Sequence, residues 1–203
     1  MDKKIWKPFI EFWNFAWHED SFWSWIVFIG LVFVLIKMII FPVLSLVTGT
    51  VLPLAIVESC SMYHGEGFED WWGNSGEWYE NQGISKEDFG DFYLRRGFTK
   101  GDIFFILGVK KENLELGDVI IFDGGKPIIH RVVGLNPLQT KGDNYLTNAD
   151  SLSVETNIKE EQIIGKATII KVPLLGWTKL IFYEPFRKEY EKGTCVAQMK
   201  RKE

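Results

Sequence analysis

From Phe22 to Val57 the chain runs 36 residues with one charged side chain, Lys37, and the stretch from Phe22 to Phe41 has the length of one bilayer crossing. At about 1.5 Å per residue such a helix spans roughly 30 Å, and Pro42 is placed to end it because proline disfavours a helical residue before it. Lys37 lies near one end, where its ammonium can snorkel to the interface. The cleaved core of a secretory signal is shorter, about 7 to 15 residues, so the pattern predicts a retained anchor. Residues 5–17, I-W-K-P-F-I-E-F-W-N-F-A-W, repeat apolar groups at helical spacing and predict an interfacial segment before the crossing. Beyond it, T-V-L-P-L-A-I-V-E-S reads as extended, with Pro53 on an edge or at an entry point. Further strands are predicted at Ile103–Val109, Asp118–Phe122, Ile128–Val133 and Ile163–Val172, separated by Gly-Asp, Gly-Gly and Asn-Pro turn signals. The fold class expected is mainly β, an antiparallel sheet domain behind one transmembrane helix.

Residues 64–100 break this rhythm. They hold seven glycines and acidic, aromatic runs such as F-E-D-W-W-G, and read as a partly helical insertion. Ser85 before K-E-D can cap a short helix, which Gly97 could stop. A lid or membrane-dipping flap and a surface hairpin with its own aromatic core are both compatible with this composition. The organisation expected is an interfacial segment 1–21, a transmembrane helix 22–41 and a domain 42–203 that carries the insertion. The K-R-K-E tail reads as a solvated end.

Composition narrows the function. The 203 residues are 46% hydrophobic, which excludes a disordered chain, and 23 basic against 27 acidic residues leave a net charge of -4. Scattered positive charge gives no phosphate-binding face, so no nucleic-acid partner is expected. Five of the nine tryptophans lie in the first 25 residues, as membrane-interface anchoring would place them. Lys3, Lys4 and Lys7 precede the span and no lysine or arginine follows Phe41 until Lys86. That asymmetry predicts a cytoplasmic amino terminus and an extracytoplasmic domain, in the cell membrane or the endoplasmic reticulum.

Three segments carry candidate chemistry: E-S-C-S-M at 58–62, G-D-V-I-I-F-D-G-G-K-P-I-I-H-R-V-V-G at 117–134, and T-K-G-D-N-Y-L-T-N-A-D-S at 140–151. Singly, each has an ordinary structural explanation: a serine near a strand end, a hydrogen-bonded core histidine, an Asp-Asn turn. Together they supply a nucleophile, a base and an acidic orienter, the set that acyl transfer by serine requires near neutral pH. Cys60 is a rival nucleophile with His64 or His130, disfavoured because alternation on a strand would turn it away from Ser59 and Ser61. A zinc site from Cys60, His64, His18, His130 and Cys195 is too dispersed, and a Cys60–Cys195 disulfide is compatible with an oxidising compartment.

The order of these boxes resembles type I signal peptidases, the membrane-anchored serine endopeptidases that remove signal peptides from exported preproteins. The resemblance runs from the anchor through the S-x-S-M, G-D, H-R-V and K-G-D-N boxes and excludes the insertion. It implies Ser61 as nucleophile and Ser59 as an oxyanion donor through its hydroxyl. Bacterial members usually carry lysine where this chain has His130, so the chain is similar to the archaeal and endoplasmic-reticulum branch, which uses Ser-His-Asp. Lys126 is the rival base, but histidine titrates near neutrality whereas lysine must be driven down from about 10 by burial. For the third member, Asp150 is expected to orient His130, with Asp143 in support. Two features depart from the pattern: Tyr63 and His64 stand where the family places a residue and a proline, and Asp143 and Asp150 are seven apart where histidine-type members usually show six. The resemblance implies no metal or other cofactor. Its implied partners are signal-bearing preproteins, the lipid bilayer and the protein-export machinery. The alternative in another class is a non-catalytic, membrane-anchored β domain that binds a partner through its aromatic insertion.

Overall fold

The computed structural model describes residues 3–65 and 67–201, so Met1, Asp2, Glu66 and the last two residues of the K-R-K-E tail lie outside the described residues. The chain divides into two compact units, Met1–Val47 and Thr48–Glu203.

In the first unit, α1 (Lys3–His18) is the amphipathic segment expected from residues 5–17, with Trp13 and Trp17 stacked at 4.6 Å between ring centroids. Ser21 then caps α2 (Phe22–Leu35), accepting a hydrogen bond from the Ser24 N–H at 3.2 Å. The Ser24 hydroxyl in turn donates to the Phe15 carbonyl at 2.6 Å, which ties α1 to α2. The helix does not stop before Pro42. One π-helical turn at Ile36–Ile40 leads into α3 (Phe41–Thr48), and the three pieces form one apolar helix, Phe22–Thr48. Pro42 lacks the N–H that an α-helix would use at that point and its ring crowds the preceding turn; the wider π turn just before it relieves both conflicts. Among the described residues this is one helix long and apolar enough to cross a membrane, and it is seven residues longer than the 22–41 span expected.

The second unit is built on a six-stranded antiparallel sheet among the described residues. Its strands are β1 (Leu54–Ile56), β2 (Ile103–Leu107), β3 (Val119–Asp123), β4 (Pro127–Leu135), β5 (Leu138–Lys141) and β6 (Ile163–Val172), in the spatial order β1-β2-β6-β3-β4-β5. The β3–β4 register pairs Val119 with Arg131 and Ile120 with His130. Because successive strand residues face opposite sides, this register puts Arg131 and His130 on different faces. One face builds a core with Phe104, Ile106, Val119, Ile121 and Ala167, closed by Val57, Met62 and Phe98. The other builds a core from Leu114, Ile120, Phe122, Val132, Leu138 and Ile158.

The insertion is helical. It contains α4 (Phe68–Asn81) and α5 (Lys86–Asp91), with a third cluster of Trp71, Trp72, Tyr79, Ile84 and Phe89 packed on Val133 of β4. Ser85 caps α5 in a reciprocal box with Asp88, as its position predicts. The helix ends at Asp91, well before Gly97, whose own role is close approach: a Cβ there would stand 2.2 Å from the Met62 carbonyl oxygen. With two further short helices, α6 (Trp177–Leu180) and α7 (Cys195–Met199), the molecule is mixed α/β rather than mainly β.

Candidate active site

Strand β1 ends at Ile56, and the backbone then leaves the sheet. Val57 is still held by Asp102, its N–H donating to that carbonyl at 2.8 Å, after which Cys60–Tyr63 form a turn closed by the Tyr63 N–H on the Cys60 carbonyl at 3.1 Å. Met62 points into the core and is 1% exposed. That burial leaves Ser59 and Ser61 on the outer side of the turn, their hydroxyl oxygens 3.0 Å apart. Cys60 is turned inward, 3% exposed, and forms a disulfide with Cys195 of α7. The inward cysteine matches the expectation, although a turn rather than strand alternation produces it. A thiol nucleophile is thereby removed.

The 142–144 segment after β5 meets this turn. The Asn144 N–H donates to the Ser61 carbonyl and its side-chain amide donates to the Cys60 carbonyl, both at 2.8 Å. The Asp143 N–H reaches the Met62 sulfur at 3.4 Å. On its other side the same segment meets His130: a Cβ on Gly142 would lie 2.9 Å from His130 Nε2 and 2.7 Å from Asn148 Cγ. The 142–144 segment thus meets the Ser61 carbonyl at Asn144 and His130 Nε2 at Gly142. Among the described residues no hydrogen bond joins the two side chains directly; Ser61 Oγ pairs with Ser59 Oγ.

His130 is 3% exposed, and its Nδ1 makes a short hydrogen bond to Glu155 Oε1. Glu155 is fully buried on a 3₁₀ turn, Ser153–Glu155, and accepts further bonds from the Thr140 hydroxyl at 3.0 Å and the Leu152 N–H at 2.7 Å. With the carboxylate on Nδ1–H, the imidazole presents Nε2 as an acceptor toward Gly142. Sequence reasoning missed Glu155, whose nearest signal is the S-V-E that follows the D-S-L turn.

Asp150 is corrected by this geometry. It is exposed, bonded to Trp78 Nε1 at 3.0 Å and to the Ser151 N–H at 2.7 Å, and Glu155 occupies the place on His130 expected of it. Asp143 lies among the groups of the other sheet face and holds the insertion. Arg131 spans it with Nη2 at 2.7 Å and Nε at 3.1 Å, while His64 Nε2, Tyr79 Oη and Trp71 Nε1 bond to its two carboxylate oxygens and its carbonyl at 2.8, 2.9 and 2.8 Å. Burial alone would raise the Asp143 pKa, but the Arg131 guanidinium and the His64 hydrogen bond overcome it and hold the carboxyl well below the usual carboxylate range. His64 is itself pushed down by burial, an effect that its bond to Asp143 only partly offsets. It is therefore a neutral donor stacked at 4.0 Å on Trp71.

Lys126 lies exposed in the β3–β4 turn, four strand residues or about 13 Å from His130. Lys141 is the buried lysine of the region, 1% exposed, with Nζ on the Gly142 carbonyl at 2.9 Å, and burial lowers its pKa. Its strand register with Arg131 puts it on the face away from His130. Among the described residues no group of three or more His, Cys, Asp or Glu side chains is placed to hold a metal ion. Neither a protein-family model nor a curated protein sequence matches the chain.

Proposed function

We propose that this protein is a membrane-anchored serine endopeptidase of the type I signal peptidase kind, which cuts signal peptides from exported preproteins. The observation that carries the reading is the meeting at the 142–144 segment of a paired-serine turn and a buried histidine with a carboxylate on its far nitrogen.

In this reading Ser61 exchanges its hydrogen bond to Ser59 for one to His130 Nε2 as substrate binds. Its hydroxyl attacks the scissile carbonyl while the imidazole takes the proton, and Glu155 stabilises the imidazolium. The proton passes to the leaving amine, and a water activated by the same imidazole hydrolyses the acyl-serine. The Ser61 N–H, which donates no hydrogen bond among the described residues, and the Ser59 hydroxyl face the developing oxyanion.

The Phe22–Thr48 helix supports membrane anchoring, and the three lysines before it support a cytoplasmic amino terminus. The Cys60–Cys195 disulfide supports an oxidising, extracytoplasmic setting for the second unit. The test is incubation of the full chain in detergent with a signal-bearing precursor, followed by amino-terminal sequencing of the product. One cut at the end of the signal region, after a small residue, is expected; an intact precursor rejects the reading.

A further inference from the structure

The segment that carries both serines is weakly held from its own side of the chain. Among the described residues none of the four N–H groups from Glu58 to Ser61 donates a hydrogen bond. Its backbone is fixed through two carbonyls bonded by Asn144, and its side chains are fixed by the carboxyl-terminal region. Glu58 pairs with Lys179 at 3.2 Å and with Arg187 at 3.0 Å. Cys60, between the two serines, is bonded covalently to Cys195.

That carboxyl-terminal region is anchored independently of the disulfide. Lys100, with a fully buried side chain, donates to the Glu191 and Gly193 carbonyls at 2.9 and 3.3 Å and pairs with Glu184. Gln198 Nε2 bonds the same two carbonyls at 2.7 and 3.2 Å, and the Thr194 hydroxyl caps α7. Met199 at the end of α7 adjoins Asn144, the residue that grips the Ser61 carbonyl. A rigidly mounted Cys195 therefore sets the direction of the Cys60 Cα–Cβ bond and, through the shared backbone, of the serines on either side.

We propose that Cys195 is a positioning residue for Ser61, and that a dithiol switches the endopeptidase off by opening the Cys60–Cys195 bond. This rests on the reading of Ser61 as nucleophile. A dithiol thiolate attacks one sulfur to give a mixed disulfide, and its second thiolate closes a cyclic disulfide. The reagent loses two electrons, and the two protein sulfurs leave as thiolates that take up protons.

The test compares oxidised full chain, dithiothreitol-reduced and alkylated chain, and the variant C60A/C195V, which replaces the bridge with apolar packing. All are assayed in detergent on a signal-bearing precursor, below the unfolding midpoint measured for each. Reduction and the variant are expected to lower kcat at least about tenfold with KM within about twofold. Reaction of Ser61 with a fluorophosphonate probe should slow in step, and reoxidation of unalkylated reduced chain should restore both. A reduced chain, verified by mass and still folded, that cleaves at the oxidised rate overturns the inference while leaving the endopeptidase reading intact. A loss confined to KM overturns it too. Oxidised wild type that is inert toward precursor removes both.

Discussion

Glu155 and His130 lie 25 residues apart in the sequence, yet the carboxylate bonds Nδ1 with both side chains almost wholly out of solvent, 0% and 4% exposed. Three groups hold Glu155, namely His130, Thr140 and the Leu152 N–H. A well-bonded carboxyl group at that point fixes which imidazole nitrogen faces the 142–144 segment.

Glu155→Gln keeps the shape but removes the charge that stabilises an imidazolium. Precursor cleavage should fall in kcat by about 100- to 10,000-fold with KM little changed. Asp150→Asn, which alters a surface bond to Trp78, should stay within about twofold. Steady-state kinetics on both variants checks the assignment, and the reverse order of effects would restore Asp150 as orienter.

Gly142 is required by close approach, since any Cβ there would press on His130 Nε2 and Asn148. Gly142→Ala should lower kcat by up to about 100-fold, the cost of a displacement of about 1 Å at a reacting group. An unaltered rate in Gly142→Ala would mean that Nε2 is not the nitrogen in use.

Arg131 neutralises Asp143 where neither side chain is exposed. Arg131→Met strands a buried carboxylate and should cost about 3–5 kcal/mol of stability by urea unfolding at pH 7. Adding Asp143→Leu should recover much of that loss. A single variant as stable as wild type would show that the cluster does not hold the insertion in place.

Acid should loosen the same cluster in two stages. The folded pKa of His64 is lowered by burial, with Arg131 and Lys141 also opposing its charge and Asp143 only partly offsetting them. Above about pH 6.5 the histidine is neutral folded or unfolded. Below it the unfolded chain takes up a proton that the folded chain resists, so stability falls with pH. Asp143, held low when folded, adds a second loss below about pH 4, where the unfolded carboxyl protonates first. Thermal unfolding midpoints from pH 8 to 3 should decline in both ranges. His64→Gln, which still donates to Asp143, should flatten the upper one; a wild-type midpoint that rises between pH 6.5 and 5 contradicts this.

What the sequence disclosed follows the range of the forces involved. Strand β6 matches its expected bounds, Ile163–Val172, because a long β-branched run between turn signals is a local property. The long apolar helix was legible for the same reason, but its passage through Pro42 was not, since a π turn is an adjustment of backbone geometry rather than of composition. Gly73 and Gly76 obscured α4, where Gly76 is needed because a Cβ would strike the Trp72 ring at 2.5 Å. Strand β5 was hidden by its length and by K-G-D-N, which reads as turn chemistry. As candidates, Ser59, Ser61 and His130 were marked by their boxes. Glu155 was not, because a lone acidic residue on a 3₁₀ turn announces nothing until the chain folds it beneath the histidine.

Whether Ser61 and His130 act as one catalytic unit is decided by the rate of precursor processing by Ser61→Ala, His130→Ala and the double variant. Each single variant should lose at least about 1,000-fold in kcat, and the double should lose no more than the worse single, as members of one unit do. Multiplicative losses, or a Ser61→Ala protein that processes precursor like wild type, would contradict a single unit.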